Sequence, residues 1–115
     1  ELEGQPMEMD GKIAHAELKF QDAKIMLGTE GCGDLQSPKS SSVRPGMSLY
    51  IYCEDPDRIH ERALKAGAKS EAAPEDMFWG DRACRLTDPD GYVWWFAKNV
   101  ADFDPSKIPQ EANAK

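Results

Sequence analysis

The chain has 115 residues, of which 40% are hydrophobic and 30% are charged, and its formal net charge is −7. This length suits one small domain, and an acidic balance without runs of Lys or Arg argues against a nucleic-acid surface. No apolar run approaches the roughly 20 residues of a membrane span, and no signal peptide is visible. We therefore expect a single domain over residues 1–115, located in the cytoplasm, with no nucleic acid and no membrane as partners.

The first half of the chain predicts a partial first module over residues 7–27. It consists of a β-hairpin over residues 12–27, preceded by the frayed end of an earlier strand over residues 7–9. Residues 12–20 alternate in character, so that apolar side chains share one face while His15 and Glu17 share the other. A two-residue turn then leads into a return strand over residues 23–27. Two neighbouring polar groups on one strand face indicate a cross-strand salt link or the polar lining of a pocket.

Residues 28–46 predict a flexible connector between two modules. Gly, Ser and Pro recur throughout this segment and no apolar period is present. It also contains Cys32, which together with Cys53 and Cys84 shows no metal-site spacing. Free thiols in a reducing compartment are therefore expected.

Residues 47–100 predict a complete β-α-β-β-β module. After a strand over residues 47–53, Asp55 is the expected N-cap of a helix, Pro56 suits its first position and Gly67 its C′ position. A short strand follows over residues 69–73, where Pro74 is expected to end it.

A β-hairpin is predicted to close this module, with strands over residues 82–87 and 92–98. The polar turn Asp88-Pro-Asp-Gly91 joins them, and Gly91 is expected to adopt a positive φ. The second strand carries the run Tyr-Val-Trp-Trp-Phe, so both of its faces are bulky and should be covered. Residues 101–115, with two prolines and low hydrophobicity, predict a loose tail.

Three segments, GKIAHAEL, SLYIYCEDPD and EDMFWGDR, followed by DPDGY, resemble in order and spacing the PhnB-like branch of the vicinal-oxygen-chelate superfamily. That superfamily includes glyoxalase I, bleomycin-resistance proteins and extradiol dioxygenases. The resemblance implies an α+β fold with a curved mixed β-sheet of βαβββ type, in which two modules form a cup around one ligand. The first module here is incomplete, because it lacks the opening strand and helix. A second copy of the chain would cover its exposed apolar face, so we expect a homodimer.

The resemblance also allows the family's metal-ligand positions to be compared one at a time. The comparable positions hold Met26, Ser48 and Trp95 in this chain. A thioether and an indole cannot replace carboxylates on a hard divalent ion, and a serine hydroxyl is a poor lone ligand. We therefore expect no metal and no other cofactor, and no metal-dependent catalysis.

The same comparison predicts which side chains line the cup. The predicted ligand-binding residues are Met26, Tyr50, Tyr52, Trp79, Arg82 and Trp95. His15 and Glu17 are candidate polar or catalytic groups. Alternatively, Trp95 and Tyr50 simply fill the cup, and Arg82 pairs with Asp76 or Asp81.

Three functions remain open at this point. The first is a metal-independent small-molecule binding protein similar to glyoxalase and bleomycin-resistance proteins, with its ligand in an aromatic cup. The second is a metal-dependent lyase, isomerase or dioxygenase of the same superfamily. The third is a fragment or module that a partner chain completes.

Overall fold

The computed structural model describes residues 2–9, 11–30 and 36–108, and the chain forms two compact units, Glu1–Ser37 and Pro38–Lys115. The boundary between the units lies inside the predicted connector, of which residues 31–35, with Cys32, lie outside the described residues. The elements in chain order are β1 (Leu2–Met9), β2 (Lys12–Phe20), β3 (Ala23–Leu27), α1 (Pro38–Ser41), β4 (Leu49–Tyr52), α2 (Pro56–Lys65), β5 (Lys69–Asp76), β6 (Asp81–Thr87), β7 (Val93–Asn99) and a single 3-10 turn (Pro105–Lys107).

The N-terminal unit is an antiparallel sheet of three strands in the order β1-β2-β3. The strand end predicted over residues 7–9 is therefore too short, because β1 already begins at Leu2. The sequence did not predict this strand because Gly4 and Pro6 both disfavour the regular hydrogen-bond ladder of a β-sheet. The structure accommodates them at an irregularity between Glu3 and Met7, where the register against β2 shifts and Gly4 has a φ of 70°.

The turn between β2 and β3 sets which side chains of this sheet share a face. Gln21 has a φ of 53° in the turn, and Glu17 then lies opposite Met26 while Leu18 lies opposite Ile25. Alternation therefore places Met26 on the charged face with Glu17, and the aliphatic side chains on the other face.

The C-terminal unit is a mixed sheet in the order β4-β7-β6-β5, with β4 parallel to β7 and the other pairs antiparallel. Helix α2 packs against β5, β6 and β7. This is the β-α-β-β-β order that the sequence predicts, and it confirms the α+β fold with a mixed sheet. The buried apolar side chains of this unit are Cys53, Ala83, Cys84, Leu86, Val93 and Ala97.

Helix α2 begins and ends where the sequence predicts. The side chain of Asp55 accepts a hydrogen bond of 3.1 Å from the backbone N–H of Arg58, and Pro56 is the first helical residue. Gly67 follows the C-cap with a φ of 105°. The thiol of Cys84 lies 3.8 Å from the carbonyl oxygen of Pro56, so the start of the helix rests on the middle of β6.

Strand β5 does not end at Pro74, as the sequence suggested, but continues to Asp76. It is an edge strand, and its register against β6 shifts between Ala72 and Glu75. A proline is tolerated in such a place because its missing N–H removes no regular ladder bond.

The turn before β7 is hydrogen-bonded to part of the predicted connector. Gly91 has the expected positive φ, 94°, and the Asp88 carboxylate accepts hydrogen bonds from the backbone of Asp90 and Tyr92. The N–H of Lys39, in the short helix α1, donates to the carbonyl oxygen of Asp90 at 2.9 Å. The connector is therefore not a loop throughout.

The C-terminal segment begins with two backbone hydrogen bonds to the turn before β6. The N–H groups of Val100 and Ala101 both donate to the carbonyl oxygen of Gly80, at 2.9 and 3.0 Å. The remainder of the predicted tail, residues 109–115, lies outside the described residues. Among the helices that the structure describes, none is both long and apolar enough to cross a membrane.

Candidate ligand-binding site

The two faces of the C-terminal sheet have different neighbours. Cys84, which touches the start of α2, lies opposite Phe96 on β7, so these two residues mark the helix face. Trp95 lies opposite Tyr50 on β4 and opposite Arg85 on β6, and alternation places all three on the other face. We refer to this second face as the open face. Tyr50, Tyr52 and Trp95 therefore lie on the face away from the helix, and their role in binding a ligand stays a prediction.

Asp81 is the centre of a hydrogen-bond network on the open face. The hydroxyls of Tyr50 and Tyr52 both donate to its Oδ2, at 2.7 and 2.9 Å. The side-chain amide of Asn99 donates to its Oδ1 at 3.2 Å. Asp81 is only 2% exposed, so these donors compensate for the loss of water around a buried carboxylate.

Trp79 extends this network from the turn between β5 and β6. Its indole N–H donates to the hydroxyl oxygen of Tyr50 at 2.9 Å. The turn itself is closed by the N–H of Met77 donating to the carbonyl oxygen of Asp81, at 2.7 Å, and Gly80 adopts a φ of 100°. The turn geometry thus aims the indole at the sheet.

The rings of Tyr50, Tyr52 and Trp79 form, together with the ring of Trp95, a continuous group that we call the aromatic cluster. The ring centroids of Tyr50 and Trp95 are 5.7 Å apart, and those of Trp79 and Trp95 are 6.1 Å apart. Tyr50 and Tyr52 meet edge to face at 5.5 Å. These separations are typical of favourable aromatic pairs. The cluster remains open to solvent, because Tyr50 and Tyr52 are 39% and 57% exposed.

The network also fixes the protonation of its members. Burial alone would raise the pKa of Asp81, but the hydrogen bonds from Tyr50, Asn99 and Tyr52 outweigh it and hold the pKa below its usual value. Burial and the bond to the Asp81 carboxylate raise the pKa of Tyr50 to about 12. Asp81 is therefore a carboxylate and Tyr50 a neutral phenol at neutral pH.

Arg85 lies over the aromatic cluster. Its guanidinium carbon is 5.7 Å from the centroid of the Trp95 ring, a distance suited to a cation–π contact. Its Nε is 3.3 Å from Oε2 of Glu71. Glu71 also binds Arg44 through two hydrogen bonds, of 3.2 and 2.7 Å, and accepts one from Thr87. The hydrogen bonds from Arg44 and Thr87 lower the pKa of Glu71 to about 2.

The prediction that Arg82 lines the cup is wrong. Arg82 shares the helix face with Cys84, and its guanidinium forms two 2.8 Å hydrogen bonds with Asp57 of α2. A further bond of 3.2 Å joins it to Asp76, which was one of the alternatives considered for this side chain. Arg82 and Arg85 are three residues apart on one strand, so they must lie on opposite faces.

The remaining predicted residues lie in the N-terminal unit. Met26 is 65% exposed there. His15 and Glu17 share a face, as the alternation predicts, and Nε2 of His15 lies 3.8 Å from Oε2 of Glu17. These side chains have partly exposed surfaces, and their candidate catalytic role stays a prediction.

The residues at the family's metal-ligand positions do not fit a metal ion. Ser48 is an exposed residue just before β4, and the indole of Trp95 belongs to the aromatic cluster. An indole N–H is a donor and cannot coordinate a cation. Within the described ranges, no three His, Cys, Asp or Glu side chains come together as a ligand set.

Three polar residues of the open face were missed in the sequence, namely Asp81, Arg85 and Glu71. Arg85 could have been predicted from the sequence. Once the two strands of the hairpin are paired, Arg85 lies opposite Trp95 and therefore shares its face. Asp81 gave no such signal, because its donors come from β4, 29 and 31 residues away.

The sequence comparisons agree with this architecture. Residues 7–96 match the family model of the Glyoxalase/Bleomycin resistance protein/Dioxygenase superfamily. An uncharacterized protein of Mycobacterium bovis is 31% identical over 102 residues, which are 86% of this chain and 67% of that protein. An uncharacterized protein of Mycobacterium tuberculosis is also 31% identical over 102 residues, and the chain spans 60% of its length.

Solved structures show the same fold. TioX from Micromonospora sp. ML1 has a TM-score of 0.64 at 24% identity, over 86% of this chain and 78% of that one. A glyoxalase/bleomycin resistance protein/dioxygenase from Nocardioides has a TM-score of 0.52 at 17% identity, over 94% of this chain and 72% of that one. The match is to the superfamily as a whole, so the PhnB-like branch stays a prediction.

The mixed β-α-β-β-β sheet and the match over residues 7–96 lead to one conclusion: the chain belongs to the glyoxalase/bleomycin resistance protein/dioxygenase superfamily.

Proposed function

We propose that this protein binds a small molecule on the open face of its C-terminal sheet, against the aromatic cluster, without a metal ion. The observation that carries the proposal is the Asp81 network, which links Tyr50, Tyr52 and Trp79 by hydrogen bonds beside the ring of Trp95 while leaving these rings partly exposed. Rigid aromatic surfaces lose little conformational entropy on binding, so they favour affinity for planar ligands.

The tyrosine hydroxyls of the cluster are already hydrogen-bonded within the protein, so we expect a ligand to contact the aromatic rings. The hydroxyl of Tyr50 donates to Asp81 and accepts from Trp79, and the hydroxyl of Tyr52 also donates to Asp81. Both phenolic protons are therefore already used within the protein. A ligand would meet the ring faces and edges rather than free hydroxyl donors, which favours binding over acid–base catalysis by these tyrosines.

Metal-free binding is proposed because the chain's own residues do not suit an ion. Met26, Ser48 and Trp95 offer a thioether, a lone hydroxyl and an indole at the comparable positions. A lyase, isomerase or dioxygenase that depends on such an ion would need a different ligand set, and the described residues contain none.

A thermal-shift screen of drugs and metabolites, with and without divalent ions, tests this function. Compounds that raise the melting temperature of the wild-type protein should fail to do so in Trp95→Ala. The matched control is Trp94→Phe, because Trp94 lies on the helix face and bonds to Asp88. Shifts that persist in Trp95→Ala, or that appear only with an added metal ion, would contradict the proposal.

The expected homodimer is also a proposal. Its support is the aliphatic face of the N-terminal sheet, where Leu2, Leu18, Ile25 and Leu27 share one side by register. Leu2 and Leu27, on the two outer strands of this face, are 53% and 44% exposed. A second copy of the chain would cover this face.

Light scattering at micromolar concentration tests the dimer. The wild-type protein should have the mass of two chains, and Leu27→Lys should have the mass of one, because a lysine on the apolar face opposes its burial. Met26→Lys places the same charge on the opposite face of the same strand and should leave the dimer intact. A monomeric wild-type protein would rule the dimer out.

A further inference from the structure

Arg85 has unused hydrogen-bonding capacity at the edge of the aromatic cluster. Its Nε is buried and makes no aligned hydrogen bond, although Oε2 of Glu71 lies only 3.3 Å away. Among the described residues, no side chain accepts from its two terminal nitrogens. A guanidinium has five N–H donors in a planar fork, so most of the donors of this group remain available.

A shallow cleft of about 180 Å³ lies beside this guanidinium. It is lined by Arg44, Pro45, Gly46, Met47, Ser48, Arg85 and Val93. Sites for whole drug-sized ligands usually enclose roughly 300 Å³ or more. This cleft therefore suits one functional group of a ligand rather than the whole molecule.

The charge of the cleft is positive. It contains two guanidinium groups, Arg44 and Arg85, and both are paired with the single carboxylate of Glu71. One positive charge is therefore left over at this place, on a chain whose overall charge is −7. Arg85 reaches the cleft while its guanidinium lies over Trp95, so the cleft and the aromatic cluster are neighbouring parts of one surface.

Resting on the proposed function, we propose that the cleft between Arg44 and Arg85 is an oxyanion subsite, so that the ligand is a planar aromatic molecule bearing a carboxylate or phosphate. The oxyanion accepts two hydrogen bonds from the free edge of the Arg85 guanidinium, while the ring of the ligand contacts the aromatic cluster. Arginine suits both roles because it pairs bidentately with oxyanions and stacks on aromatic rings.

Four single-ring probes test this subsite by titration followed with proton–nitrogen correlation NMR. Benzoate and phenyl phosphate carry the oxyanion, benzyl alcohol is neutral, and benzylamine is a cation. Both anions should shift the Arg85 Nε–H resonance and the Trp95 indole resonance. The anion that binds more tightly identifies the preferred oxyanion, carboxylate or phosphate. Benzyl alcohol should bind at least about tenfold more weakly, and benzylamine more weakly still.

Variants assign the effect to the cleft. Arg85→Gln should weaken benzoate binding at least about tenfold and leave benzyl alcohol unchanged. Arg85→Lys keeps the positive charge but loses the planar pair of guanidinium N–H donors, so it should weaken benzoate binding by a smaller factor. Arg62→Gln removes the same charge from an exposed position on α2 and should have no effect.

Glu71→Gln separates a binding role from a purely structural one. Glutamine keeps an acceptor for Thr87 but removes the carboxylate that competes for both arginines, so benzoate should bind several-fold more tightly. If the arginines serve only to hold Glu71, this variant should be less stable and bind benzoate no better, which would overturn the subsite.

The possible failures are distinguishable. If benzyl alcohol shifts the Trp95 indole as strongly as benzoate does, the oxyanion subsite is wrong while binding at the aromatic cluster stands. If benzoate shifts the Arg85 resonance but leaves the Trp95 indole unmoved, the aromatic contact is wrong. If no probe shifts either resonance, the subsite is wrong for this ligand class.

Discussion

At the scale of single residues, the buried carboxylate of Asp81 determines the properties of the aromatic cluster. It accepts from two tyrosines and one asparagine, and both tyrosine hydroxyls would have to find a new acceptor if the carboxylate were lost. A buried donor without a partner costs about 1–3 kcal/mol. Asp81 is therefore as important for the shape of the site as any residue that a ligand would touch.

Asp81→Asn tests this role through the ionisation of Tyr50. The carboxylate raises the pKa of Tyr50 together with burial, so its loss should move the pKa from about 12 part of the way back towards 10. Ultraviolet absorbance of tyrosinate during an alkaline titration measures this change, and Tyr50→Phe assigns the signal. We also expect a loss of about 1–3 kcal/mol in unfolding free energy. An unchanged titration would show that Tyr50 and Asp81 are not bonded.

The same pKa shift predicts how stability depends on alkaline pH. Because the pKa of Tyr50 is raised in the folded protein, its contribution to stability is complete below the unfolded value of 10 and is lost as pH rises towards about 12. Urea unfolding across this range should show a steeper decline for the wild-type protein than for Tyr50→Phe. Parallel curves would contradict the raised pKa.

Sequence reasoning succeeded for residues whose face follows from alternation and failed where a contact depends on distant strands. Tyr50, Tyr52 and Trp95 share one face, as expected from the family's ligand positions at Ser48 and Trp95 together with alternation along β4. Arg82 was placed wrongly, because it is the second residue of β6 and alternation puts it with Cys84 on the helix face. The partners of Asp81 could not be predicted, since β4 and β6 are neighbours only through β7.

At the scale of elements, the turn from β5 to β6 connects the site to the C-terminal segment. Gly80 has a φ of 100°, and a Cβ at this position would collide with the carbonyl oxygen of Ala101. The close approach is required because Val100 and Ala101 both donate to the carbonyl oxygen of Gly80. The turn that presents Trp79 therefore depends on a glycine at this position.

Gly80→Ala should destabilise the protein by more than the roughly 1–2 kcal/mol of a left-handed non-glycine residue alone, because backbone must also move. Gly46→Ala is the matched control, since a Cβ there meets nothing within 4 Å and no positive φ is involved. Denaturant unfolding of both variants provides the comparison. Equal stabilities for the two would mean that the turn is not constrained as described.

Prolines explain the elements whose limits the sequence did not predict. Pro6 and Pro74 both lie within strands, β1 and β5, at places where the register is irregular. Both strands are at a sheet edge, where a missing N–H is tolerated. Position in a sheet cannot be read from the local sequence, so both strands were predicted too short, whereas the capped helix α2 was predicted nearly to the residue.

At the scale of the whole molecule, the mixed β-α-β-β-β sheet presents the aromatic cluster on its open face. The elements of the mixed sheet were predictable, because turns, caps and strand periodicity agree along the C-terminal unit. The family match over residues 7–96 was expected from the resemblance of the quoted segments to that superfamily. The polar partners on the open face were not, since they arise only when β4, β6 and β7 come together. A hydrogen-bonded aromatic cluster on that face is the feature on which the proposed function depends.

The most direct test is the NMR response of the indole N–H groups of Trp79, Trp94 and Trp95 to the compound that most stabilises the wild-type protein without added metal. The indoles of Trp79 and Trp95 should shift in a saturable manner, because both belong to the aromatic cluster. The indole of Trp94, bonded to Asp88 on the other face, should not move. A shift confined to Trp94, or none until a divalent ion is added, would contradict metal-free binding on the open face.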